Sequence, residues 1–250
     1  MGAIPDSATE PRSSENLFRR NIGLQGRVSE KIMNSPNVNT PDYWNDVYHG
    51  EFESGGAASP HYYRDYGPVH DAILRLIPDG SRVLDVACGP GLLCRKIRQR
   101  IPSSQVSGID FSNYVVQRTT ERDRDFGIEY HCLDIRTSLG TVGSQSAAGS
   151  QFDVVIMCEI LEHLEEPESV VASAMDLLRV GGRFILSCPH DNEIPDPEHL
   201  RTWGHDDLFH LLNKYSDTIS FTHFPPPYFH VWMLAYLTKT AGDLLSPRPA

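Results

Sequence analysis

The stretch Cys158-Glu159-Ile160-Leu161-Glu162-His163-Leu164 puts two carboxylates and an imidazole close together in the chain. If Glu159 opens a helical turn, then Glu159, Glu162 and His163 fall at i, i+3 and i+4 and share one face. Two chemistries follow from the residue types alone. In one, Glu159 packs beside a bound ligand, Glu162 is solvated and His163 is a hydrogen-bonded helix residue. In the other, His163 is a general base that takes a proton from a hydroxyl, a role that suits an imidazole near neutral pH. Neither needs a metal, and no metal is assigned.

A second concentration of chemistry is Val83-Leu84-Asp85-Val86-Ala87-Cys88-Gly89-Pro90-Gly91, an apolar strand running into a glycine-containing turn that opens a helix. Small residues there let backbone N–H groups approach a ligand, although such turns also serve tight strand–helix packing. Asp110 ends the next strand about 20 residues on, where a carboxylate can accept hydrogen bonds from both hydroxyls of a ribose. Ala87 holds the first small position, and no basic residue nearby suits a pyrophosphate. A ligand with ribose but no phosphate therefore fits better than a dinucleotide. His190, His199, Trp203 and His205 cluster after the fifth strand, where an acceptor would bind, and Tyr43, Trp44, Tyr62 and Tyr63 could close over it as a lid.

The elements that must hold these groups alternate. Strands are predicted at 82–88, 105–110, 128–134, 152–158 and 183–188, with helices at 67–77, 91–100, 113–125 and 168–179. This order implies βαβ units and a doubly wound α/β fold, with a mostly parallel sheet covered on both faces. A helix at 206–215, a strand at 218–223, a Pro225-Pro226-Pro227 turn and an apolar run at 231–238 would add an antiparallel C-terminal edge, for seven strands in all. Residues 1–40 read as a mobile segment, 41–65 as an N-terminal helical cap or lid, and 66–250 as the main domain. The Gly/Ser/Ala stretch 137–151 reads as a flexible insertion.

Composition narrows the classes. The 250 residues carry 22 basic against 33 acidic side chains, a net charge of -11, which disfavours a nucleic-acid substrate. No apolar run is long enough to span a membrane, and the N-terminus lacks the pattern of a secretory signal, so a cytoplasmic protein is expected. Cys88, Cys94, Cys132, Cys158 and Cys188 form no CxxC pair, which argues against a disulfide framework or structural zinc.

From about Tyr66 to Thr238 the sequence resembles the class I S-adenosylmethionine-dependent methyltransferases, in particular the small-molecule and ubiquinone-biosynthesis O-methyltransferase branch. The resemblance rests on five segments in order: Val83–Gly91, Gly108–Ser112, Cys132–Ile135, Phe152–Leu164 and Leu178–Phe184. It implies S-adenosylmethionine as cofactor and a small-molecule acceptor, with oxygen the favoured atom. Asp85, Ala87, Cys88, Gly89 and Gly91 would hold the methionine end, with Cys158 beside it. Asp110 and Ser112 would serve the ribose, Phe111 the adenine face, and Asp134 and Ile135 the adenine edge. His163 and Glu159 would be the catalytic pair, and Tyr43, Trp44, His190, His199 and Trp203 would line the acceptor site. The Glu-x-x-Glu-His spelling also resembles the metal ligands of small-RNA 2′-O-methyltransferases. That opens an alternative, a metal-assisted 2′-O- or catechol-type enzyme using Glu159, Glu162 and His163, with His190 or His199 as a further ligand. A nicotinamide oxidoreductase would keep a third glycine where Ala87 stands. A degenerate cofactor-binding partner subunit would have no reason to keep Asp85, Gly89, Gly91, Asp110 and Asp134 together.

Overall fold

A computed structural model describes residues 37–55, 60–138, 151–190, 198–224 and 232–240. The 1–40 segment up to residue 36, most of the 137–151 insertion, the Pro225–Pro227 turn and the side chains of Tyr62 and Tyr63 lie outside the described residues.

Two helices precede the sheet: α1 (Pro41–Glu53) and α2 (Pro60–Arg75). Helix α1 starts where Thr40 accepts a hydrogen bond from the Tyr43 N–H and Pro41 supplies a preset φ. Helix α2 begins well before the expected 67 and runs across the expected boundary at 65/66, so cap and domain share one helix. Then follow β1 (Arg82–Val86), α3 (Leu92–Arg100), β2 (Gln105–Asp110), α4 (Asn113–Arg122), β3 (Glu129–Cys132), a single turn α5 (Ile135–Ser138), β4 (Phe152–Cys158), α6 (Pro167–Leu177), β5 (Leu178–Pro189), α7 (His205–Leu212), β6 (Ile219–Phe224) and β7 (Trp232–Thr238).

The seven strands lie in the order β3-β2-β1-β4-β5-β7-β6, with only β7 running against its neighbours. The reversed strand sits inboard of β6. Its sequence accounts for that: WMLAYLT is apolar enough to be covered on both faces, whereas ISFTHF carries polar side chains suited to an edge. Alternation along the central strands feeds two cores. Val83, Val154, Ile156 and Ile185 pack on the side of α2 and α3, while Leu84, Val155, Met157 and Phe184 pack on the side of α6 and α7.

Several boundaries differ from the sequence reading, each for a local reason. Helix α4 stops at Arg122 because Asp123 binds the Arg95, Arg122 and Tyr130 side chains, and Gly127 at φ 63 closes the turn that follows. Helix α6 ends at Leu177 rather than 179, since Leu178 already pairs with Phe152 at the start of β5. The ladder then shifts register before Val154↔Arg183, and Gly181 takes a left-handed φ of 77 in that irregular stretch. Strand β3 is shorter than expected and mostly exposed, as the outermost strand on its side.

Strand order reverses between β1 and β4, the neighbours from which connections lead to opposite sides. Open α/β sheets bind ligands beyond the strand ends at such a crevice. Among the described residues no helix is long and apolar enough to cross a membrane.

Candidate active site

Two cavities meet beyond the C-terminal ends of β1, β2 and β4. The larger, about 320 Å³, is lined by Asp85, Ala87, Cys88, Gly89, Cys158, Glu159, Glu162, His163 and His199, with α1 and α2 closing it from the other side. The smaller is a slot of about 80 Å³ lined by Asp110, Phe111, Leu133, Asp134, Ile135 and Arg136. Trp44, Tyr48, Ala87, Glu159 and His163 line both, so the two spaces share one wall.

Backbone strain marks that shared wall. Ala87 and Glu159 are the non-glycine residues with positive φ among those described, at 59° and 54°. They follow the ends of β1 and β4, which are paired in parallel. Left-handed backbone at an alanine and a glutamate costs free energy, and such positions gather at functional sites. The Glu159 N–H reaches Ser187 O at 3.0 Å, which continues the β4–β5 pairing one residue further and turns the chain sharply.

That turn corrects the expected helical face. Glu159 lies outside any helix; only Leu161–His163 form a 3-10 turn. Its carboxylate is held on β5, where Oε1 accepts a hydrogen bond from Ser187 Oγ at 2.7 Å. Burial lifts its pKa to about 7, against the opposing hydrogen bonds from Ser187 and Trp232. Glu162, solvated in the first of the readings above, is buried at 2% exposure. Beside it stand His163 and His199: one potential ligand atom from each of the three residues lies within 4.8 Å of the others, with His163 Nε2 3.8 Å from Glu162 Oε1. The trio of the structure is thus Glu162, His163 and His199, with Glu159 apart from it. The His163 Nδ1 lies 3.1 Å from Glu198 O, an acceptor only, which a proton on Nδ1 satisfies, and Nε2 is the nitrogen beside Glu162.

At the slot, Asp110 is buried and accepts from the Gly89 N–H and the Ser112 N–H, each at 2.9 Å. Each carboxylate oxygen keeps a further lone pair, which fits hydroxyl donors. Burial raises its pKa to about 6 despite those bonds. Asp85, under the larger cavity, is raised to about 7 by burial, with Cys94 Sγ donating to it at 3.2 Å. Phe111 lies beneath the Arg136 guanidinium at 5.2 Å. Arg136 also pairs with Asp134 at 2.7 Å, and its N–H closes a turn on Asp134 Oδ1. Asp134 therefore stabilises its own turn while lining the slot, and the hydrogen bonds from Arg136 hold its pKa below the usual range.

Other expected residues fall outside the cavities. Ser112 is the N-cap of α4, accepting from Val115 N–H at 3.2 Å and donating to Asn45 Oδ1 at 2.7 Å, which ties α4 to α1. Gly91 faces Tyr130: a Cβ there would meet the Tyr130 hydroxyl at 2.4 Å. Tyr43 donates to the Glu198 carboxylate and so holds a residue of the wall. His190 and Trp203 bridge each other past the end of β5, and the His190 ring packs on His223 of β6, 5.4 Å away, which carries both toward the β6 side. Trp203 lines a separate groove beside α7.

The sequence reading passes over Val47, Tyr48 and Glu51 of α1 and Tyr66 and His70 of α2, all of which line the larger cavity. The signal for the first three is in the chain: Trp44, Val47, Tyr48 and Glu51 repeat at i, i+3, i+4 and i+7, one helical face. Tyr48 also explains why Gly89 must be small, since a Cβ there would lie 3.1 Å from the tyrosine oxygen.

Residues 84–184 match a family model described as a methyltransferase domain. The chain is 33% identical over 140 residues to a ubiquinone biosynthesis O-methyltransferase of Xanthomonas axonopodis pv. citri, covering 56% of this chain and 55% of that protein. It is 33% identical over 132 residues to one from Idiomarina loihiensis, covering 50% and 51%. The chain thus spans about half the length of the curated relatives it matches. Among solved structures, a methyltransferase from Anabaena variabilis superposes with a TM-score of 0.63 at 16% identity, over 83% of this chain and 98% of that one. The N-methyltransferase NodS of Bradyrhizobium japonicum WM9, in complex with S-adenosyl-L-homocysteine, superposes with 0.60 at 18% identity, over 78% and 98%. These likenesses establish the fold.

Proposed function

Since the chain carries a class I S-adenosylmethionine-dependent methyltransferase domain, we propose that it moves a methyl group from that cofactor to an oxygen of a small molecule, with His163 as general base. The observation that carries this reading is the shared wall. One end of the space offers a ribose-suited carboxylate and an apolar slot, the other is large enough for an acceptor, and His163 borders both. The residues also fit a cation: Asp85, Glu159 and Glu162 are carboxylates buried around the same cavity.

The cofactor, when bound, supplies a methyl group on positively charged sulfur and so brings its own activation. What remains for the chain is alignment and proton removal. Asp110 would hold the ribose hydroxyls, Phe111 and Leu133 the adenine faces, and Ile135 would offer its backbone N–H at the adenine edge. Asp85 and the backbone at Cys88 and Gly89 would hold the methionine end. Nδ1 of His163 is anchored by Glu198 O, so Nε2 is the atom that would take the acceptor's hydroxyl proton. Trp44, with its ring 5.5 Å from that of His163, keeps water from one side of the imidazole. The test is calorimetric titration of the folded protein with S-adenosylhomocysteine. Micromolar binding is expected; no binding overturns the reading.

A second reading has its own observation, the Glu162, His163 and His199 ligand atoms within 4.8 Å of one another. A divalent cation on these three would orient the acceptor oxygen and favour its ionised form, replacing the general base. Activity that disappears with a chelator and returns with Mg²⁺ supports this reading; activity indifferent to both supports the base.

A further inference from the structure

The part of the larger cavity lined by α1 and α2 holds two polar groups that the methyl-transfer chemistry does not use. Glu51 comes from the last turn of α1, and among the described residues its Oε2 is buried without a hydrogen-bond partner. His70 comes from α2, is 6% exposed, and its ring stacks on that of Tyr66 at 6.0 Å. Both line the cavity together with Tyr48, Tyr66, Leu92 and Leu93. A buried acceptor without a donor destabilises the free protein, and helix surfaces ordinarily avoid it. Such an acceptor, with a buried imidazole from a separate helix lining the same space, is the mark of a site whose missing partner is a ligand.

Their chemistry states what the ligand offers. Burial is the main reason the His70 pKa falls to about 3, with the positive charge of Lys96 adding to it and Asp71 opposing. The ring is therefore neutral, with one donor nitrogen and one acceptor nitrogen. Glu51, whose pKa burial raises, offers acceptors. A hydroxyl satisfies both residues at once, donating to one and accepting from the other, and an amine can donate to both. A carboxylate finds no donor on Glu51 and meets Asp85, Glu159 and Glu162 in the same cavity. Tyr48 and Tyr66 beside the pair give the walls for a flat ring.

We propose that Glu51 and His70 form the recognition end of the acceptor pocket, and that the acceptor is a non-anionic aromatic molecule carrying a second hydroxyl or an amine away from the methylated oxygen. This rests on the methyl-transfer reading and names the substrate class of that site.

Three probes share one phenol and differ only at the far end: tyrosol (hydroxyl), tyramine (ammonium) and 4-hydroxyphenylacetate (carboxylate). Each is titrated into the protein saturated with S-adenosylhomocysteine. Tyrosol and tyramine are expected to bind about tenfold or more tightly than 4-hydroxyphenylacetate, the scale of one charge-assisted hydrogen bond. Glu51→Gln is expected to remove most of tyramine's advantage, and His70→Phe, which keeps a ring beside Tyr66, most of tyrosol's. Affinity for S-adenosylhomocysteine should stay within about twofold in both variants. Equal affinities, a preference for the carboxylate, or binding of none of the three overturns the proposal. So does a variant that weakens S-adenosylhomocysteine instead, which would assign the pair to the cofactor. Failure of the wild type to bind S-adenosylhomocysteine is a different result: it removes the methyl-transfer premise itself. A ligand-free measurement adds an independent check. Glu51→Leu removes the orphaned acceptor, and the unliganded protein should melt about 2–4 °C higher; a lower melting temperature counts against a group kept for binding.

Discussion

The slot and the larger cavity are built from different materials. The slot is made by strand ends: Asp110 is pinned by two backbone N–H groups, and Asp134 is tied to Arg136 of the same turn. Asp110 and Asp134 are thus held by protein hydrogen bonds before any ligand arrives, and the slot's geometry is set by the sheet. The larger cavity is closed by side chains of α1 and α2, and among the described residues the buried Glu51 Oε2 that lines it has no hydrogen-bond partner. A pre-satisfied end suits a ligand that never changes, and an end with unmet hydrogen bonds suits one whose identity is specific to this chain. Ala87 and Glu159, the strained residues, stand where the two materials meet.

His163 borders both spaces, and its removal is the largest expected effect. His163→Ala should lower kcat by about 10²- to 10⁴-fold, the range for a lost general base, while the Kd for S-adenosylhomocysteine moves little. A Kd that falls apart together with kcat would mean the imidazole belongs to the slot, and the division between the two ends fails there. Asp110→Ala comes next and tests the opposite end. Losing a buried carboxylate that accepts two ribose hydroxyls should weaken S-adenosylhomocysteine by about 100-fold. The variant also strips the Gly89 and Ser112 N–H groups of their acceptor, so Asp110→Asn, which keeps one carbonyl oxygen, should fall between it and the wild type. If both variants bind normally, the slot is not the ribose site.

How much of this is legible in the sequence differs between the two ends. The slot and the sheet are largely readable, because an apolar run flanked by turn residues fixes its own ends: β2 and β4 occupy the spans their hydrophobic pattern predicts. What fails is whatever depends on a partner far along the chain. Leu178 reads as the end of a helix but pairs with Phe152, and Glu159 reads as the start of one but is turned by pairing with Ser187. No local signal tells a glutamate that it will sit at φ 54. The wall of the larger cavity lies between these cases. The face Trp44, Val47, Tyr48, Glu51 is periodic and therefore visible, whereas His70, one polar residue on a helix of mixed pattern, becomes a site residue only once α2 lies beside Leu92 and Leu93. The five cysteines are free, as their spacing implies.

The smallest effect is a count of protons. Burial lifts Asp85 and Glu159 to about 7 and Asp110 to about 6. In the unfolded chain the same groups ionise near pH 4, so through the interval between, the folded state holds protons that the unfolded state has lost. Stability from these three acids is complete below about pH 4 and declines as pH rises toward about 7. Asp123 and Asp153, lowered by their arginine partners, work the other way: their contribution is present above about pH 4 and is lost only as pH falls below it. His70, held neutral by burial with a pKa of about 3, opposes the three acids: its unfolded imidazole takes a proton below about 6.5, so stability from it grows as pH rises from about 3 to about 6.5. Three raised acids outweigh one lowered imidazole, and the unliganded protein should melt at a lower temperature at about pH 7 than at about pH 5. A cation in the cavity favours the ionised carboxylates, so binding should expel protons, and S-adenosylmethionine, with its charged sulfur, should expel more than S-adenosylhomocysteine. Calorimetry at about pH 6 in two buffers of different ionisation enthalpy reads the difference directly as a fraction of a proton. Equal release for the two ligands would mean that Glu159 in the shared wall and the acids on either side of it do not sense the sulfur, and the wall would then divide the two spaces rather than join them.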